Sequence, residues 1–112
     1  MTRTVVDLTA RRTRSSAFAT EEGERIRAVA RRLGVAIVEA DLPPDVRGLL
    51  AREEPPVSRS GCRILVNRYD FPARQRFTAA RELGGYVLYR RGPGFSPPVV
   101  AVRAADIVEF AP

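Results

Sequence analysis

The 112-residue chain has no histidine, no lysine and no tryptophan, and its one cysteine is Cys62. Without histidine there is no Ser-His-Asp triad, no Cys-His pair and no imidazole-based metal site, which removes most familiar hydrolase mechanisms. A lone cysteine excludes an internal disulfide and a multi-cysteine metal site. Within the apolar run that follows it, Cys62 reads as a small core residue, and nothing activates its thiol as a nucleophile. No apolar run approaches the roughly 20 residues needed to span a bilayer. The opening MTRTVVDLTARRTR lacks the longer apolar stretch of a secretory leader. A cytoplasmic protein without a bound cofactor is the expectation.

What is present is arginine, which supplies all 19 basic residues against 13 acidic ones, for a net charge of +6. That balance favours anionic partners at long range, and nucleic acid is the first class it brings forward. The arginines are spread along the chain, except for Arg11, Arg12 and Arg14, which form a candidate nucleic-acid contact in a basic arm read over residues 1–19. A hydrophobic content of 45% and this length suit one small domain over residues 20–112.

Thr20 followed by Glu21 and Glu22 predicts a helix start, because a hydroxyl caps free amides and carboxylates favour the positive end of the helix dipole. Ile26, Val29, Ala30 and Leu33 repeat at helical spacing and Gly34 supplies the stop. Val35 to Val38 is short and β-branched, and predicts a strand; Asp41 to Val46, with two prolines, predicts a turn. Gly48 to Arg52 and Cys62 to Arg68 predict two further strands joined by a long hairpin loop. Ile64 and Val66 should share one face, and Arg63, Leu65 and Asn67 the other. Asp70 is placed to cap the next helix, with Pro72 in its first turn. Phe77, Ala80, Gly84 and Val87, with Leu83 and Leu88 beside them, predict its buried stripe. Arg90 and Arg91 suit its C-terminal end, and Gly92-Pro93-Gly94 ends it. Val99 to Val102 suggests a fourth strand, and Ala104 to Phe110 a short helix or strand. The expected fold is α+β, a small three- to four-stranded sheet packed against a central helix and an N-terminal one.

The central helix carries the most distinctive segment, RQRFTAARELGGYVLYR, preceded by ILVN and a turn at Tyr69-Asp70. With VEADLPPDVRGLLARE upstream, it resembles the ImmA/IrrE family of bacterial and phage metallopeptidases over about residues 24–91. In that family an H-E-L-G-H zinc motif follows an RQRFT-type lead. The chemistry rests on helical geometry: two imidazoles four residues apart hold one zinc ion while the glutamate between them handles the attacking water.

The resemblance implies a zincin-like minimal domain whose ligand positions are now Arg81 and Gly85. A guanidinium has no lone pair to offer and glycine has no side chain, so neither binds zinc. Glu82 keeps the place of the general base but has no metal-bound water to activate, and is expected to survive in an ion pair. Tyr89 stands where the family often has another histidine. The family's third, acidic ligand would fall in the tail, where Asp106 and Glu109 are the available carboxylates. Gly84 is expected to allow close approach to a strand. Gly85 is expected to make room for the Arg81 guanidinium to fold into the former metal space and find an acidic partner. The implied function is that of a non-catalytic pseudo-peptidase, a protein-binding or regulatory module. Its partner would be a helix-turn-helix repressor in phage, mobile-element or stress-linked transcription control. A basic nucleic-acid-binding protein is the alternative that charge supports.

Overall fold

Thr20 starts the first helix as its sequence requires: its hydroxyl accepts from the Gly23 amide at 3.0 Å, satisfying one of the free donors of the first turn. The computed structural model describes residues 17–99 and the backbone of Val108 and Glu109. Helix α1 (Glu21–Leu33) ends on Gly34, whose φ of 74° is left-handed and whose amide closes back on the carbonyls of Ala30 and Arg31. The chain then enters strand β1 (Ala36–Ala40), followed by β2 (Gly48–Arg52), β3 (Cys62–Asn67), helix α2 (Pro72–Tyr89) and the two-residue strand β4 (Val108–Glu109).

The sheet order is β2-β3-β1-β4. Strand β3 pairs antiparallel with β2, through the predicted hairpin, and parallel with β1, so it is central and buried along nearly its whole length. One face carries Ile37, Ile64 and Val66 against Ala30 of α1 and Ala79, Leu83 and Tyr86 of α2; the other carries Val38, Ala40 and Leu65, with Leu42 and Leu49 packed on it. The alternation read along β3 therefore holds, with both faces apolar. The architecture is α+β, with two helices and a small mixed sheet. No helix among the described residues is long and apolar enough to cross a membrane.

Several expectations are corrected. The basic arm gives way to the domain before Thr20, because Ala17 and Phe18 are fully buried in the main core cluster. Phe18 lies so close to α1 that a Cβ at Gly23 would come within 2.5 Å of its backbone, which explains a glycine in the first helical turn. Burying that ring is worth about 2–3 kcal/mol. Asp70 does not cap α2: the N-cap is Phe71, without a side-chain cap, and the Asp70 carboxylate instead accepts from Arg47 at 3.1 Å. Pro72 does occupy the first turn.

The apolar stripe of α2 is also not its core face. The helix buries Gln75, Thr78, Ala79, Leu83 and Tyr86, while Phe77 is 57% and Val87 46% exposed, and Ala80 and Gly84 face outward too. Two side-chain interactions turn it this way. Gln75 donates to the Asn67 carbonyl at 2.9 Å, and Asn67, at the end of β3, donates to the carbonyls of Pro43 and Val46 at 3.0 and 2.8 Å and accepts from the Tyr69 amide at 3.1 Å. A buried amide hub thus fixes the 41–47 turn and the start of α2 together, outweighing the pull of Phe77 and Val87. Val99 forms a single parallel bridge to Arg52, and residues 100–107 lie outside the described residues.

Candidate functional site

Strand β2 is the edge of the sheet beside α2, and its register decides which of its backbone groups are free. The Arg47 carbonyl accepts from Asn67 and the Glu53 amide donates to Gly61, so residues 47, 49, 51 and 53 turn their backbone groups toward β3. Gly48, Leu50 and Arg52 turn theirs outward. Arg52 is covered, its amide donating to the Pro98 carbonyl at 2.8 Å and its Nε to the Pro97 carbonyl at 3.1 Å. The outward groups of Gly48 and Leu50 have no backbone partner among the described residues and form an open edge.

That edge is one wall of a cleft of about 610 Å³. Glu82, Gly85 and Tyr89 of α2 form the opposite wall, and the segment from Gly92 to Pro98 closes one end. Gly48 is required at the floor, since a Cβ there would meet the Leu65 carbonyl oxygen at 2.4 Å and the Thr78 methyl at 2.5 Å. Gly85 is the opposite case: a Cβ would meet nothing within 4 Å. Tyr86, just behind the wall, packs edge-on against Phe95 at 6.1 Å, tying the closing segment to the helix.

Three of the four positions singled out in sequence, Glu82, Gly85 and Tyr89, therefore share one cleft, and the fourth does not join them. Arg81 lies on an exposed flank with Arg47, Arg74 and Phe77, around a smaller polar depression that Glu82 also borders. It makes no ion pair among the described residues, which overturns the expectation that its guanidinium folds toward Gly85 and finds an acidic partner. Position 81 is one helical turn before Gly85 but lies on the solvent side of that flank, where it borders the smaller depression with Arg74 and Phe77. Gly84 likewise approaches no strand, as nothing lies within 4 Å of a Cβ built on it.

Glu82 is also without the expected ion pair. It makes no hydrogen bond among the described residues, and partial burial pushes its carboxyl above the usual carboxylate range against the opposing charge of Arg81. Tyr89 is 65% exposed and Tyr69 67% exposed. Cys62 is buried as expected, and burial, reinforced by the charge of Glu53, pushes its thiol up and away from reactivity. Arg11, Arg12, Arg14 and Asp106 lie outside the described residues, as does the side chain of Glu109, whose backbone pairs with Val38. No group of three or more His, Cys, Asp or Glu side chains that can hold a metal ion occurs among the described residues. The free sheet edge escaped sequence reading because it depends on hydrogen-bond register; the prolines at 97 and 98, which cannot donate to a strand, were its only hint.

Comparison with family models, with curated proteins and with solved structures returned no match to this chain.

Proposed function

We propose that this chain is a non-catalytic protein-binding module, an ImmA/IrrE-like pseudo-peptidase with a zincin-like minimal domain that holds an extended segment of a regulatory partner in the cleft between β2 and α2. The observation that carries the reading is the open edge at Gly48 and Leu50, facing a helix that presents Glu82, Gly85 and Tyr89 across about 610 Å³. An extended peptide laid along that edge gains main-chain hydrogen bonds from strand addition, with its alternate side chains reaching the helix wall. Glu82, whose carboxyl burial raises above its ordinary range, has unused capacity to accept from an arriving amide or to pair with an arriving cation. The partner class, a helix-turn-helix repressor in mobile-element or stress control, rests on the resemblance of the RQRFTAARELGG segment.

The test is affinity capture from the native host followed by mass spectrometry, using the full chain and its Leu50→Pro variant. Proline at 50 removes an outward amide that β3 does not use, so the sheet keeps its ladder while the edge is blocked. Capture of a repressor that Leu50→Pro abolishes is expected. Capture that survives the substitution, in a folded variant, would refute binding at the edge. Metal analysis of the purified protein is a companion measurement, in which stoichiometric zinc would contradict the non-catalytic reading.

A second reading, a nucleic-acid-binding protein, is favoured by one feature. Phe71, Arg74, Phe77 and Arg81 alternate along one side of α2, with Phe71 83% and Phe77 57% exposed. Exposed rings between cations suit stacking on single-stranded bases. A DNA titration across salt concentrations separates the two, since this reading requires affinity that falls steeply with salt.

A further inference from the structure

The flank of α2 turned away from the cleft carries a second recess, between α1 and α2, of about 460 Å³. Ile26 and Val29 line it from α1, and Ala80, Gly84, Val87 and Leu88 from α2. The spacing of the α2 residues is that of one helical face, yet Val87 and Leu88 are 46% and 75% exposed and Val29 is 38% exposed. Gly84 deepens the recess: nothing lies within 4 Å of a Cβ at that position, although glycine weakens the middle of a helix. Solvated aliphatic side chains around a glycine notch are poor chemistry for a free surface and good chemistry for close approach of another helix.

Apart from Glu21 and Glu22 at its near end, the charged residues flanking this recess are arginines. On α1, Arg25 and Arg32 lie one turn to either side of Val29; on α2, Arg81 lies one turn before Gly84 and two before Leu88, and Arg91 follows just past the end of the helix. The acidic residues at the near end, Glu21 and Glu22, are already held by Arg25 at 3.4 Å and Arg76 at 3.0 Å. Arg32, Arg81 and Arg91 form no ion pair among the described residues. An apolar floor between unneutralised cations selects its occupant by charge. A second copy of this chain would bring its own arginine rim and a net charge of +6 against the first. Nucleic acid would find the guanidinium groups but would bury an aliphatic floor that offers bases neither hydrogen bonds nor rings to stack on.

We propose that the groove between α1 and α2 docks an acidic amphipathic helix of a partner protein. Its aliphatic residues, at the i, i+3, i+4 and i+7 positions, fill the recess over Gly84, and flanking carboxylates reach Arg32, Arg81 and Arg91. The site lies on a different flank of α2 from the cleft and stands or falls independently of it.

The full chain is titrated with three fluorescent helical peptides of about five turns. They share one Leu/Ile stripe and are flanked by Glu, by Gln or by Lys. The Glu-flanked helix is expected to bind at least about tenfold more tightly than the Gln-flanked one, and the Lys-flanked helix not at all. Val87→Glu should weaken binding by about tenfold or more, with Val87→Ser as the milder variant if the first unfolds; Leu50→Pro should leave it unchanged. Combining Arg32→Glu with Arg81→Glu should reverse the order of the peptides. No binding of the Glu-flanked helix, equal affinity for the Glu and Lys forms, or loss of binding in folded Leu50→Pro would each overturn the proposal. So would a single-stranded oligonucleotide that displaces the Glu-flanked helix at low salt while Val87→Glu has no effect, which would reassign the flank to nucleic acid.

Discussion

Glu53 and Glu82 are carboxylates of the same kind in opposite situations. At the end of the β2–β3 hairpin, Glu53 is 6% exposed and saturated: one oxygen accepts from the amides of Val57 and Ser58 at 2.8 and 2.7 Å and from the Ser58 hydroxyl at 2.9 Å, and the other faces Arg63 at 3.3 Å. Burial alone would raise its carboxyl, but these donors outweigh burial and hold it below its ordinary range. Glu82 in the cleft has burial without the donors and is raised. A polar group whose bonds are all made within the fold is part of the architecture; one left with capacity at the edge of a cleft is available to a ligand. The same contrast divides the glycines of the cleft: Gly48 is walled in by backbone and Gly85 stands in open space.

The largest effect should come from removing the saturated group. Glu53→Ala leaves two amides and a guanidinium facing a buried vacancy and should lower stability by about 3 kcal/mol, read from the denaturant midpoint. A loss of under about 0.5 kcal/mol would mean that the loop finds other partners and the contrast is false. Next is the glycine pair. Gly48→Ala should destabilise by about 2 kcal/mol through overlap with the Leu65 carbonyl, whereas Gly85→Ala should stabilise by about 1 kcal/mol, the ordinary gain of alanine within a helix. Equal effects in the same thermal-unfolding series would remove the distinction between the two walls.

Smallest is Glu82→Gln, expected to be neutral or stabilising by less than about 1 kcal/mol at neutral pH. Its pH dependence runs opposite to that of Glu53. Because the folded value of Glu82 is raised, its contribution is fully present below the unfolded value of about 4.3 and is lost as pH rises through the folded value. Glu53, being lowered, contributes fully above about 4.3 and loses that contribution as pH falls through its folded value. Stability curves of the two variants against pH should therefore diverge from wild type in different windows, Glu82→Gln above pH about 4.3 and not below it. Curves that part from wild type in the same window would show that the two carboxylates do not differ.

Local chemistry was legible where a residue acts on its own neighbours. Thr20 and Gly34 bound α1, Pro72 opens α2, and Cys62 sits buried at the start of β3. Rotation was not legible. The spacing of Phe77, Ala80, Gly84 and Val87 satisfies a helical stripe perfectly well, yet the stripe that meets the sheet is a mixed one held by Gln75 and Thr78. Polar residues at those positions read as surface until Asn67, eight residues earlier, is seen accepting the Gln75 amide on its carbonyl. Nor does spacing tell where a long side chain goes: Arg81 and Gly85 are neighbours one turn apart, yet Gly85 lines the cleft while Arg81 borders the adjoining depression with Arg74 and Phe77.

By itself the sequence determined the types and order of the elements as far as α2 and the buried cysteine, because each of these follows from covalent structure and nearest-neighbour chemistry. Only the tertiary structure decided which side of α2 meets the sheet, which backbone groups of β2 stay open, and that Arg81 belongs to a charged flank outside the cleft. Those outcomes hang on strand register and on long-range hydrogen bonds such as that between Gln75 and Asn67, which no local pattern encodes.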